Sequence, residues 1–152
     1  MKRVFTLALS VLLLLSAIPV AATAASVDKL VSTSTEYFDD GSYAIIDVYE
    51  SAIQPRTGKT GYAETTYYSA NGTRIFKVTV TGSFEYTYGV SASATSATVS
   101  VAIYNSNTSF VSKNAYTSGA SAVGSGTVSY SGSTITKTAR VTCDKYGTLS
   151  YS

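Results

Sequence analysis

Histidine and tryptophan are absent from the 152 residues, and there is one cysteine, Cys143, with two prolines, Pro19 and Pro55. Without histidine there is no base for a Ser-His or Cys-His nucleophile, and nearly all zinc sites are excluded as well. A lone cysteine cannot close a bridge within the chain. Cys143 shares the apolar parity of Ala139 and Val141, which makes it a buried, inert thiol; a bridge to a second chain and a nucleophilic role are the alternatives. Charged residues are also scarce, at 13 %. The formal charge of +2 comes from Lys2 and Arg3, and the rest holds nine basic against nine acidic residues. No stripe of positive charge is available to neutralise phosphates, so nucleic acid is not an expected partner. Six acids (Asp28, Glu36, Asp39, Asp40, Asp47, Glu50) precede Ser51, and eight basic residues against three acidic follow it. An internal contact between these parts is as good a reading as an external one.

The long hydrophobic run is confined to the start. "MKRVFTLALSVLLLLSAIPVAATAAS" has a basic pair, an apolar stretch from Val4 to Ile18, and then small residues. This is the pattern of a secretory signal peptide, with cleavage expected after Ala24 and a mature domain over 25–152. The apolar stretch is shorter than the ~20 residues that span a bilayer. The expected localisation is extracellular, with no membrane attachment after cleavage. About 128 mature residues suffice for one domain with one core.

Beyond the leader, Ser, Thr, Tyr and Val dominate, and helical runs of Leu, Glu and Lys are missing. Phe76, Val78, Val80, Phe84, Tyr86 and Tyr88 share one parity, and Lys77, Thr79, Thr81, Ser83, Glu85 and Thr87 the other. That is the period of a half-buried strand, and Gly82 within it suggests a bulge or bend. Asn71-Gly72 suits a two-residue type I′ turn pairing Ala70 with Thr73, Tyr68 with Ile75, Tyr67 with Phe76, Thr65 with Val78 and Ala63 with Val80. Asn71-Gly72-Thr73 also matches a glycan acceptor, which the turn reading makes a coincidence of turn chemistry.

Asp39-Asp40-Gly41 marks a second turn, between a strand ending near Phe38 and one over Tyr43 to Glu50. Ser131-Gly132 marks a third, pairing Val128 with Ile135, Gly124 with Ala139 and Ala122 with Val141. Lys137 breaks the apolar parity there and belongs near an edge or the surface. Thr98 to Tyr104 and Ser109 to Tyr116 read as further strands, and Ser51 to Lys59 as a flexible loop. About eight or nine strands with closely spaced turns predict an all-β antiparallel sandwich, Ig-like or jelly-roll-like. The small residues Ala120, Ala122, Gly124 and Gly126 favour close sheet packing over a barrel cavity.

The stretches "TEYFDDGSYAIIDVYE", "KTGYAETTYYSANGTRIFKVTVTGSFEY" and "VTCDKYGTLS" resemble a family of small exported proteins of gut-associated Gram-positive bacteria. The resemblance covers most of the mature chain and implies export and an all-β fold, with no known activity and no functional residues to carry over. It also implies a second cysteine near Ala94, bridged to the counterpart of Cys143. This chain lacks that partner.

Carboxylate chemistry survives the absence of histidine. Glu36, Asp39, Asp40, Asp47 and Glu50 offer an acid and base pair for glycoside cleavage only if two of them face a cleft, and acids around turns are usually turn-forming. Calcium at Glu36, Asp39 and Asp40 lacks the spacing of a dedicated loop. No metal or cofactor is therefore expected. The thirteen tyrosines are the better handle. Tyr62, Tyr68 and Ile75 fall on the outer face of the predicted hairpin, where an apolar strip would contact a sugar or a protein. The sequence thus points to a secreted, non-catalytic binding or structural surface component with an unknown protein or glycan partner, monomeric or linked through Cys143. A carbohydrate-binding module using the tyrosines is the alternative reading, and an antimicrobial or toxin-like protein a further one.

Overall fold

The computed structural model describes residues 27–55 and 57–151; the expected leader at 1–24 lies outside them, as does Arg56. The described chain is all-β. Its strands are β1 (Lys29–Tyr37), β2 (Tyr43–Glu50), β3 (Lys59–Tyr68), β4 (Arg74–Thr87), β5 (Ser91–Ile103), β6 (Thr108–Ser118), β7 (Ser121–Tyr130), β8 (Ser133–Cys143) and β9 (Leu149–Ser150). One sheet has the order β1-β2-β3-β4-β5 and the other β6-β7-β8-β9, with every neighbouring pair antiparallel. They pack face to face as a β-sandwich. Each sheet is a plain meander, so the connectivity is up-and-down and differs from the Greek-key order of Ig-like and jelly-roll sandwiches.

Strand parity builds the core. Ala44, Ile46 and Val48 of β2, Ala63 of β3 and Phe76, Val78, Val80 and Phe84 of β4 are buried from one sheet; Ala122, Val128, Ala139, Val141, Cys143 and Leu149 are buried from the other. The glycines of β7 set how closely the sheets approach. A Cβ at Gly124 would lie 2.8 Å from Val99 Cγ2 and 2.9 Å from Val80 Cβ, and one at Gly126 would lie 2.6 Å from Val101 Cγ2. The valines of β4 and β5 therefore rest directly on the β7 backbone, which is the close packing expected from the small residues.

The hairpin registers follow the hydrophobic pattern. Ser131 and Gly132 have φ of 48° and 81°, a type I′ signature, and Val128 faces Ile135, Gly124 faces Ala139 and Ala122 faces Val141. Tyr67 faces Phe76, Thr65 faces Val78 and Ala63 faces Val80, also as expected. The turn between these last strands differs from expectation. Gly72 alone takes a positive φ, at 80°; its amide donates to Ser69 O at 2.9 Å, and the Ser69 amide donates to Thr73 O at 3.0 Å. This is a three-residue loop with glycine in the left-handed position. Asn71 stays out of positive φ and brackets the loop instead, its Oδ1 accepting from Thr73 N and the Ser69 hydroxyl.

The extra loop residue has to be absorbed in the ladder. Tyr68 faces Arg74, and Ile75 is skipped as a bulge. Ile75 is 0 % exposed and joins Phe76 in the core cluster, so its expected place on the outer face is corrected. The same loop recurs at Phe38 to Ser42 and at Asp144 to Thr148, with Gly41 and Gly147 in the left-handed position. In sequence the three copies read "FDDGS", "SANGT" and "DKYGT".

Two other expectations are modified. Gly82 is not a bulge: β4 runs unbroken through it, and a Cβ there would meet Ala122 Cβ at 2.6 Å and the Phe84 ring at 2.7 Å. The bulge falls in β5, where Ser83 faces Ser96 and Phe84 faces Ala94, leaving Thr95 unpaired. Lys137 is half-buried, its Nζ 3.3 Å from the centre of the Phe38 ring and 4.8 Å from that of Tyr67. Aromatic faces and the nearby Glu36 and Asp40 compensate this inward cation, while its burial pushes the amine below its ordinary range.

Candidate binding surfaces

The two sides of the sandwich are finished differently. On the β5 and β6 side the sheets are tied, with Ala94 N donating to Gly119 O at 2.9 Å. On the other side β9 is only two residues long, so β1 extends past the opposing sheet. All nine residues of β1 are exposed, Leu30 at 50 % and Tyr37 at 76 %. Its ladder to β2 is interrupted only at Val31, and among the described residues its other edge is unpaired. It contains no proline, and Lys29 and Glu36 are its only charges.

The outer face of the same sheet carries the tyrosines. Tyr43 and Tyr68 stack at 4.9 Å with planes 7° apart, with Tyr37 tilted against Tyr43 at 5.9 Å. Tyr49 and Tyr62 stack at 4.7 Å and 16°. Between the stacks, Asp47 accepts the Thr33 hydroxyl at 2.8 Å, and Glu64 accepts Lys77 Nζ at 2.6 Å and the Thr79 hydroxyl at 3.2 Å. Tyr62 and Tyr68 thus share a face but not a site. Six residues along β3 separate them by about 20 Å, and each turns a ring face toward its cross-strand neighbour. Burial, a hydrogen bond to Asp28 and the charges of Asp28 and Glu64 push the Tyr62 phenol far above its ordinary range. Asp28 also accepts the Ala52 amide at 2.8 Å, so this phenol belongs to the fastening of the β2–β3 loop.

Of the five carboxylates considered for catalysis, Asp40, Asp47 and Glu50 are held in separate structural tasks, and Asp144 serves its own turn in the same way. Asp40 caps its own turn by accepting Ser42 N and Oγ, which holds its carboxyl below the usual range. Glu50 pairs with Lys59 at 2.7 Å. Asp144 accepts from Tyr146 N and Thr148 N. No group of three metal-ligating side chains occurs among the described residues. Cys143 is fully buried, and its burial, with the charge of Asp144, pushes the thiol up.

Glu85 differs from these acids, having no ion pair or hydrogen bond from its carboxylate among the described residues. It lines a groove of about 400 Å³ with Thr57, Gly58, Tyr86, Thr87, Ser91 and Ser93. The sequence showed Glu85 and Thr87 as the polar parity of β4, a signal equally consistent with a plain solvated face. Only the approach of the β2–β3 loop makes that face concave. Gly58, at φ 100°, lies so close that a Cβ would sit 2.3 Å from Phe84 O, and the loop is fastened by the Gln54 amide, which accepts from Thr60 N at 2.8 Å and donates to Thr60 O at 2.9 Å. No protein-family description, curated protein or solved structure matches the chain.

Proposed function

We propose that this is a secreted, non-catalytic β-sandwich serving as a binding or structural surface component, and that its docking element is the free edge of β1, extended by a strand of another polypeptide. The observation that carries this reading is a nine-residue strand exposed along its whole length beside an unpaired edge. Ordering backbone costs about 1–2 kcal/mol per residue. β1 recovers this through one hydrogen-bonded ladder and little burial, whereas an added strand supplies a second ladder and covers Leu30 and Val31.

The dispersal of Asp40, Asp47, Glu50 and Asp144 into turns and pairs supports a role without catalysis. Sugar binding by Tyr62 and Tyr68 has less support, because their stacks leave few ring faces open. A photo-crosslinking residue placed at Thr35 of the protein on its producing cells tests the reading, with one at exposed Thr136 as reference. A discrete adduct at Thr35 that Ser34→Pro removes is expected. Equal labelling at both positions, or none at Thr35, disproves the β1 reading.

A further inference from the structure

The groove beside Glu85 is a separate feature from the β1 edge, and we infer that it binds one sugar residue of a neutral saccharide. Beyond the Thr95 bulge, the end of the β4–β5 hairpin pairs Glu85 with Ser93 and Thr87 with Ser91. Cross-strand spacing and the step of two residues along each strand set these four side chains on a rectangle of about 5 Å by about 7 Å, the scale of a pyranose ring. One corner is a carboxylate able to accept from two neighbouring hydroxyls. The others are hydroxyls, each a donor and an acceptor.

Thr57 adds a further hydroxyl on the loop side. The Tyr86 ring turns to the opposite face, against Gly147, where a Cβ would lie 2.7 Å from it. Past it, Tyr88 and Tyr146 pack edge to face at 5.3 Å, continuing the aromatic surface at this end of the molecule. Among the described residues no basic side chain lines the groove and the Glu85 carboxylate repels an anion, while a single carboxylate is a poor cage for a hard cation. Hydroxyls and one acceptor-only group in a groove of this volume match a neutral polyol.

Titration of the ¹⁵N-labelled mature protein with glucose, galactose, mannose, xylose and N-acetylglucosamine at millimolar concentration tests the assignment. At least one sugar is expected to give saturable amide shifts at Gly58, Glu85 to Thr87, Ser91 and Ser93. Glu85→Gln should weaken that binding about tenfold or more. Ser93→Ala should weaken it less, and the Tyr68→Ala and Ser34→Pro variants should leave it unchanged. Absence of saturable shifts with all five sugars, shifts centred on Tyr43 and Tyr68, or an unaltered affinity in Glu85→Gln overturns the proposal. Because Ser34→Pro disables only the β1 edge, failure of one reading leaves the other intact.

Discussion

Ala94 and Cys143 are held by neighbouring carbonyls of one turn: the Ala94 amide donates to Gly119 O at 2.9 Å and the Cys143 amide to Ala120 O at 3.0 Å. The turn therefore ties β5 of one sheet to the end of β8 in the other, at the position where the resemblance places a second cysteine. Ala94 also packs against the core cluster that contains Cys143. Two residues 49 apart in sequence are thus bound by adjacent residues of one turn.

Ala94→Cys is accordingly expected to form a disulfide with Cys143 in air-oxidised protein. Thiol titration of the unfolded variant should find no free cysteine. The bridge should add about 2–4 kcal/mol of stability, read as a rise in Tm that reductant abolishes. Two free thiols in the oxidised variant would refute the juxtaposition.

In the unmodified chain Cys143 should resist a soluble disulfide reagent until the protein unfolds, and a non-reducing gel should show monomer. Its buried sulfur makes one long contact, to Asp144 O at 3.5 Å. Cys143→Ser places a stronger hydrogen-bonding group there, and the expected cost is about 1–3 kcal/mol. A covalent dimer in the native preparation would contradict this account.

Alkaline pH should destabilise the protein. Both Tyr62 and Cys143 have folded-state values raised above their ordinary 10.0 and 9.0, so each favours the fold through its protonated form. That contribution is complete below the ordinary value and is lost as pH rises through the folded one. Denaturant midpoints should therefore fall above about pH 9, and Tyr62→Phe should flatten the fall above pH 10. Tyr62→Phe should also cost about 0.5–1.5 kcal/mol at neutral pH by releasing Asp28. An unchanged slope in that variant would show that the phenol is not the responsive group.

Gly124→Val tests the spacing of the sheets. The new side chain must displace Val80 and Val99, and overpacking of this kind costs about 1–3 kcal/mol. Chemical denaturation should show a lower midpoint for Gly124→Val than for Ser125→Val, which is on the opposite parity of β7. Equal midpoints would mean that the valines can move aside.

A double-mutant cycle on Tyr43 and Tyr68 addresses the tyrosine stacks. If these rings act by cross-strand stacking, the coupling energy should be about 0.5–1.5 kcal/mol. Additive effects would return both rings to the pool of candidate ligand contacts.

Most of the architecture was legible in residue parity. Phe76, Val78 and Val80 paired with Tyr67, Thr65 and Ala63 as an alternating pattern requires, because a slip of one residue would turn every apolar side chain to solvent. The loop at Asn71 was not legible. Asn-Gly suits both a two-residue turn with two positive φ values and a three-residue turn with one, and bonds between Ser69, Asn71 and Thr73 select the second. That choice sends Ile75 into the core and removes it from the expected strip. The groove was hidden for a different reason, since Glu85 and Thr87 read as solvent-facing until Gly58 brings a distant loop over them.

The amino-acid sequence by itself determined the all-β class, the registers of the β3–β4 and β7–β8 hairpins away from the Asn71 loop, and the exclusion of histidine-based chemistry. These are local properties, fixed by period, turn residues and composition. Tertiary structure alone decided that the strands form two meanders, that β1 overhangs its sandwich, that Tyr62 and Tyr68 stand in separate stacks, and that one turn binds the amides of both Ala94 and Cys143. Each depends on which distant segments pack together, and one sheet's residue pattern carries no record of the face opposite.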